Sequence, residues 1–451
     1  MQFRNYSFRL ALLALLGTAA SCEKTLDLKP ANSLETEQVF TDLAGANAAV
    51  IGAYGNLTSV NYMGLRYAVF ADLAADNLAH IGTFPSFAEI KLRNIQPQNV
   101  EVTNMWASLY AGINRANNII ANVPNISSIN ATDRRRLLGE ARFLRAHNYF
   151  NLVRYWGDVP LVLTPTTVPD ASLNVARTPV DNVYDQVRTD LDSAEVALPA
   201  VNTGRATLWA ARALKARLAL YRGQWAEAER LSDQIIAGPF ALQPSYRAVF
   251  DTKNSSESIF EVQFDNIVQS QYAFFFFPQS LGGRNEVSPT GPASTLPTAY
   301  ETGDTRRNAS ISDGTFRIGA RTAPAGVGIK YTDAGTGTDN YRAIRLAEII
   351  LTGAEAKAQQ GRLADALVLL NRIRTRAGLP VRTALTQSAL LDAIYQERRI
   401  ELAMEGHRWF DLIRTGRAQT VLGITDARRL LFPIPFRETV NNPNMTQNPG
   451  Y

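Results

Sequence analysis

Apolar residues recur at spacings of three and four over most of the chain, the signature of amphipathic α-helix. Thr36 to Asn56 carries Val39, Leu43, Val50 and Tyr54 on one face, and Thr103 to Val123 carries Trp106, Tyr110, Ile113 and Ile120. Thr132 can cap a further helix running to about Tyr155. Thr178-Pro179-Val180-Asp181 reads as a helix start, with a cap, a proline in the first turn and an early acid. That helix continues through Tyr184, Val187, Leu191 and Ala194 until Pro199 stops it.

The most informative pattern is a pair of similar helical hairpins. In residues 206–237, Ala211, Leu214, Leu218 and Tyr221 face one way, Gly223 makes a turn, and Ala228, Leu231 and Ile235 follow. In residues 347–376, Ala347, Leu351, Ala354 and Ala358 precede a turn at Gly361, and Ala366, Leu369 and Ile373 follow. The offset is constant, with Gly223 matching Gly361, Trp225 matching Leu363 and Ala228 matching Ala366. Alanine-rich helix pairs of this length resemble tetratricopeptide units. Two units so far apart in sequence do not make a continuous solenoid, so we expect a helical scaffold interrupted by a long insertion.

The insertion, about residues 238–341, has another character. Ser258 to Phe264 alternates like a short strand, and Ile329 to Thr332 could form another. Residues 279–340 are rich in Gly, Pro, Ser, Thr, Asn and Asp. Ordered loops of this length are usually functional. Ser59 to Gln98 is a second loop-rich stretch. Ser388 to Arg414 reads as one long charged helix, and Phe432 to Tyr451 as an extended, turn-rich tail packed over the scaffold. The fold class is therefore all-α dominated, with a few short strands in the insertion.

The first residues change the picture. Arg4 and Arg9 precede the apolar run Leu10 to Ala20, which is too short to span a bilayer and reads as a signal peptide over 1–21. Ala19, Ala20 and Ser21 then lead to Cys22, the chain's one cysteine. A small-residue stretch ending on cysteine resembles the lipobox of bacterial lipoproteins, with Ala19 where leucine is usual. That resemblance implies a lipid anchor on Cys22, carrying acyl chains such as palmitate, and residues 22–33 as a tether. Residues 34–451 form the body: scaffold at 34–237 and 342–451, insertion between them. Without disulfides, an exported body must be held by its core, and 46% hydrophobic composition allows a large one. Net charge is +5 for the whole sequence and +3 once Arg4 and Arg9 leave, with no basic stripe, which argues against nucleic acid as a partner.

Three long stretches then point to a family. GEARFLRAHNYFNLVRYWGDVPLV at 139–162, QERRIELAMEGHRWFDLIRTG at 396–416 and FPIPFRETVNNPNMTQNPGY at 432–451 resemble segments of the SusD/RagB family, nutrient-binding outer-membrane lipoproteins of Bacteroidetes. The resemblance implies a helical scaffold of tetratricopeptide-like hairpins with loops on one side. It also implies a cell-surface role: capture of an oligosaccharide or polysaccharide, or of a peptide, for delivery to a TonB-dependent outer-membrane transporter of SusC type. A tetratricopeptide-type scaffold lipoprotein for envelope assembly is the alternative. The aromatic-bearing loops argue against that alternative, since a scaffold needs little beyond its helical surface.

Chemical motifs add mostly exclusions. Glu397 and Glu401 share a helix face, but the surrounding Arg398, Arg399, Arg408, Glu405 and Asp411 favour structural ion pairing over glycosidase chemistry. His80, His147 and His407 lack metal-ligand spacing, so no metal, cofactor or catalytic residue is expected. Sugar rings stack on aromatic side chains and bond to amides, carboxylates and arginine. Loop aromatics are therefore the ligand candidates: Tyr62, Phe84 and Phe87 from Ser59 to Gln98, Tyr272 and Phe274 from the insertion. Packing is the competing reading for each, since the run Phe274 to Phe277 could equally plug the core.

Overall fold

The computed structural model describes residues 36–166, 173–201 and 204–451. The expected signal peptide, the Cys22 anchor and the tether at 22–33 lie outside the described residues.

Helix α1 spans Leu43–Leu57, where Asp42 caps by accepting from the Gly45 N–H at 2.8 Å. This cap divides the expected Thr36 to Asn56 helix, leaving a short turn at Thr36–Val39 before it. Helix α2 spans Val100–Asn122, capped by Asn99, and α3 spans Ala131–Trp156. The cap of α3 is Asn130 rather than Thr132, which falls inside the first turn. Helix α4 is Val180–Ala197; its first N–H goes to Asp158 Oδ1 at 2.9 Å, and Thr178 pairs in a two-residue strand with Val159 instead of capping.

The two hairpins form as the spacing predicts. Helices α5 (Leu208–Tyr221) and α6 (Trp225–Ile236) turn at Gly223, φ +65°. Helices α7 (Leu346–Gln359) and α8 (Leu363–Arg376) turn at Gly361, φ +78°. Positive φ is nearly free for glycine and costly for other residues. The scaffold is more continuous than the interrupted sequence suggests. Helices α2 to α8 pack in series, and α6 lies directly on α7 although about 110 residues separate them in the chain. Ala219, Ala228 and Ala356 meet in one small cluster, so the small side chains let the two hairpins close together. Arg217 of α5 and Glu348 of α7, both buried, bond at 2.6 and 2.5 Å. The insertion leaves between the hairpins and returns as a strand: Ser258–Val262 pairs antiparallel with Tyr341–Arg345, Ser258 opposite Arg345 and Val262 opposite Tyr341. Ile329 to Thr332 is not a strand; only Gly328 bridges, to Ile311.

The expected long helix from Ser388 to Arg414 is two helices. Helix α9 spans Gln387–Glu401, and a short helix follows at Arg408–Arg414. Met404 and Gly406 between them have φ of +61° and +79°. Gly406 donates its N–H to Asp72 Oδ2 at 2.9 Å, and a Cβ there would lie 2.8 Å from Ala68 Cα. The chain bends because it docks on the short helix Arg66–Leu73.

Glu397 and Glu401 take structural roles. Glu401 accepts from Arg345 at 2.5 Å, Arg306 at 3.1 Å and also Arg376, while Glu397 pairs with Arg306 at 2.6 Å and Arg374 at 3.2 Å. Burial alone would raise the Glu401 carboxyl, but Arg376, Arg345 and Arg306 outweigh it and hold it below the usual range. Lys330 joins through Glu405 at 2.9 Å, and burial lowers its ammonium to about 8. These pairs tie the insertion, through Arg306, Lys330 and Arg345, to the end of α9. In the tail, Trp156 Nε1 donates to Pro433 O at 3.0 Å and Asn448 Nδ2 to Trp156 O at 2.9 Å, which packs 432–451 over the scaffold.

Candidate functional site

The two loop-rich stretches, some 200 residues apart, are sewn into one surface. The first is less irregular than expected, holding short helices at Arg66–Leu73 and Pro85–Leu92. Between them Ala79–His80 pairs antiparallel with Val287–Ser288. Thr295 donates its N–H to Asp76 O at 2.9 Å, and Ser294 its hydroxyl to Asn77 O at 2.9 Å. The Lys91 ammonium donates to Ala75 O at 3.1 Å, Leu78 O at 2.7 Å and Ala293 O at 3.1 Å.

Glu286 is the hub of this junction. Its Oε1 accepts from His80 Nε2 at 2.9 Å and from the Phe84 N–H at 2.7 Å; its Oε2 accepts from Arg284 Nε at 2.9 Å. The side chain is 1% exposed. Burial pushes the carboxyl up, but the Phe84 N–H, His80 and Arg284 more than compensate and lower it. A Cβ at Gly82 would fall 2.3 Å from Glu286 Cδ, so this close approach requires glycine.

Beside the hub, Arg284 and Phe84 form a cation–aromatic pair. The Arg284 guanidinium sits 3.7 Å over the centre of the Phe84 ring, and its Nη2 donates to Thr83 Oγ1 at 3.2 Å. The Arg284 side chain is about one-third exposed, at 35%. Beneath, Phe84 leans on Phe87 at 5.6 Å and Phe275 at 6.3 Å, Phe87 stacks on Phe275 at 5.8 Å, and Phe70 meets Phe87 edge-on at 5.1 Å. Half-buried Phe274 borders this cluster, and its carbonyl accepts the Arg284 N–H at 2.7 Å. A planar cation on an aromatic ring, with N–H groups at its edge, can face a sugar ring and donate to its hydroxyls.

The five aromatic candidates divide. Phe84 and Phe274 are half-buried at this surface. Tyr62, Phe87 and Tyr272 are 0% exposed, which removes the exposure that made them ligand candidates. Tyr62 bonds His147 Nδ1 at 3.0 Å, Tyr272 donates to Met63 O at 2.9 Å and stacks on Tyr331 and Tyr341, and Phe87 is the floor just described. Packing won because these rings anchor the loops to the helices. Sequence reasoning missed Arg284, Glu286 and Thr83. The sign was there in Gly282-Gly283-Arg284-Asn285-Glu286, a charged pair in a glycine turn beside an aromatic run. What it lacked was His80 and Phe84 as partners.

A hollow of about 690 Å³ lies elsewhere, between α2 and the tail. Of its aromatics, Trp106 is 3% exposed and Tyr110 is half-buried, its hydroxyl donating to Pro160 O at 2.9 Å. Among the described residues, no group of His, Cys, Asp and Glu could hold a metal ion, and no helix is long and apolar enough to cross a membrane.

With the geometry in hand, known proteins give a consistent match. Residues 302–428 match the model of the SusD family, and residues 24–220 a model described as starch-binding associating with outer membrane. A SusD-like protein of Formosa agariphila is 27% identical, with all of both chains covered. A SusD superfamily structure from Bacteroides vulgatus shares the fold, with TM-score 0.82 at 23% identity, over 91% of this chain and 100% of that one. A laminarin-binding SusD-like protein has TM-score 0.78 at 26% identity, over 91% of this chain and 100% of its own.

Proposed function

The chain belongs to the SusD/RagB family of outer-membrane-associated proteins, and from that premise we propose that it captures a glycan at the cell surface and delivers it to a TonB-dependent transporter of SusC type. Its ligand surface is the Phe84–Arg284 platform with Phe274 and Thr83 at the margin. The observation that carries this reading is the Glu286 junction: one buried carboxylate fixes two loops so that a guanidinium, about one-third exposed, sits over an aromatic ring. An open platform suits a polymer chain better than a small enclosed molecule. Laminarin and starch are the first probes, because relatives carry those names. Export follows the signal at 1–21, Cys22 carries the lipid, 22–33 is the tether, and the body from 34 stands outside the membrane. Glu397 and Glu401 are engaged by arginines, which speaks against a glycosidase acid–base pair there.

The test uses purified mature protein in affinity electrophoresis on gels containing laminarin or soluble starch, with a reducing-end assay alongside. Retarded migration on at least one gel, without release of reducing ends, is expected. Release of reducing ends, or binding to neither glycan nor to any other on a glycan array, would overturn the reading.

A further inference from the structure

A second hollow, about 390 Å³, lies between the start of α5, the turn after α6 and the strand Ser258–Val262. That volume is in the range of small-ligand sites. Its wall holds two half-buried aromatics, Trp209 and Phe240, set edge to face at 6.0 Å. Trp209 is fixed in place: the Arg212 guanidinium lies 4.9 Å from its ring centre, and a Cβ at Gly238 would lie 3.1 Å from its Cζ3.

Polar groups converge on the same hollow. Asn254 and Gln263 bond each other reciprocally, Asn254 Nδ2 to Gln263 Oε1 at 3.0 Å and Gln263 Nε2 to Asn254 Oδ1 at 2.9 Å. Gln263 also donates to Glu261 O at 3.0 Å and accepts from Asn340 Nδ2 at 2.9 Å, so it is saturated and serves to orient Asn254, which keeps one N–H for another acceptor. Arg205 also lines the hollow. Its Nε is 3.4 Å from Glu140 Oε2, so its charge is matched, and its side chain keeps 22% of its surface exposed. A neighbouring hollow of about 190 Å³ shares Gly204, Phe260, Glu261 and Gln263 and continues past Tyr54 to Val268, which leaves room for a second ring.

We propose that this hollow is a second saccharide subsite, taking one or two rings of a neutral glycan, with Trp209 and Phe240 packing against the sugar and Arg205 and Asn254 bonding its oxygens. Neutral sugar fits because the one arginine that would attract an anion already has Glu140 beside it. The subsite shares no residue with the Phe84–Arg284 platform, and its chemistry stands without that platform.

The test is fluorine NMR of mature protein carrying 5-fluorotryptophan, with the Trp209 signal assigned through Trp209→Phe. Laminarihexaose and maltohexaose are titrated separately into wild type, into the double variant Phe84→Ala/Arg284→Ala, and into Arg205→Met. The Trp209 signal is expected to shift saturably with at least one sugar, to do so equally in the double variant, and to need about tenfold more sugar in Arg205→Met. A Trp209 signal that both sugars leave fixed would overturn the inference. So would a shift that disappears with the platform, since it would then report the first site. If the shift persists while the platform shows no glycan binding, the subsite stands and the platform reading falls.

Discussion

Arg345 and Arg284 both pair with glutamates, and the two pairs do opposite work. Arg345 is 1% exposed, and all of its N–H groups are used, on Glu257, Glu401, Glu405 and the Glu401 carbonyl. Arg284 is about one-third exposed, bonds through Nε and Nη2 only, and lies on an aromatic ring. A saturated buried arginine has nothing left for a ligand and serves as a joint. An unsaturated one, fixed by a buried carboxylate but facing solvent, can recognise. On the proposed reading, stability and recognition are carried by the same residue types in separate places.

The largest effect should come from breaking the joint. Glu401→Gln leaves Arg345, Arg306 and Arg376 short of charge in a buried setting, and should cost about 3–5 kcal/mol in urea unfolding. Loss of under about 1 kcal/mol would mean that the knot is not what holds the insertion to α9. Next, Glu286→Gln weakens bonds to Arg284 and His80 at the platform's base. We expect about 1–3 kcal/mol less stability, together with weaker glycan retention; unchanged retention would detach the hub from recognition. Arg284→Ala alone should lower glycan affinity about tenfold, or ~1.4 kcal/mol, and should cost about 1 kcal/mol of stability because Glu286 Oε2 loses its partner.

The smallest effect is the pH response of the hub. The Glu286 carboxyl is held below its ordinary value of 4.5, so its contribution is present above that value and is lost as pH falls through the lowered one. The stability gap between wild type and Glu286→Gln should therefore be full at neutral pH and shrink in acid below 4.5. A gap that is constant with pH would show that the ionised carboxylate is not what bonds Phe84, His80 and Arg284.

Much of the scaffold was legible because its information is local. Helical spacing, the Gly223 and Gly361 turns and the alanine offsets each lie within one window of sequence. The stacking of α6 on α7 was not legible, because a hundred residues separate them and no pattern in either helix names its partner. The break in the long C-terminal helix escaped for a similar reason: Gly406 turns to meet Ala68 and Asp72, which lie far upstream. The platform was half legible. Aromatic residues in loops pointed to Phe84 and Phe274, but sequence could not tell them from Tyr62, Phe87 and Tyr272, which serve as loop anchors. Arg284 and Glu286 acquire meaning only when the strand Val287–Ser288 pairs with Ala79–His80.

The most direct test of this division sets wild type beside Phe84→Ala/Arg284→Ala, measuring affinity for the best-bound glycan by isothermal titration and stability by urea unfolding in the same buffer. The account predicts at least about a tenfold loss of affinity with native-like cooperative unfolding in both proteins. Affinity within about twofold of wild type in the folded double variant would contradict it, and would place recognition elsewhere on the molecule.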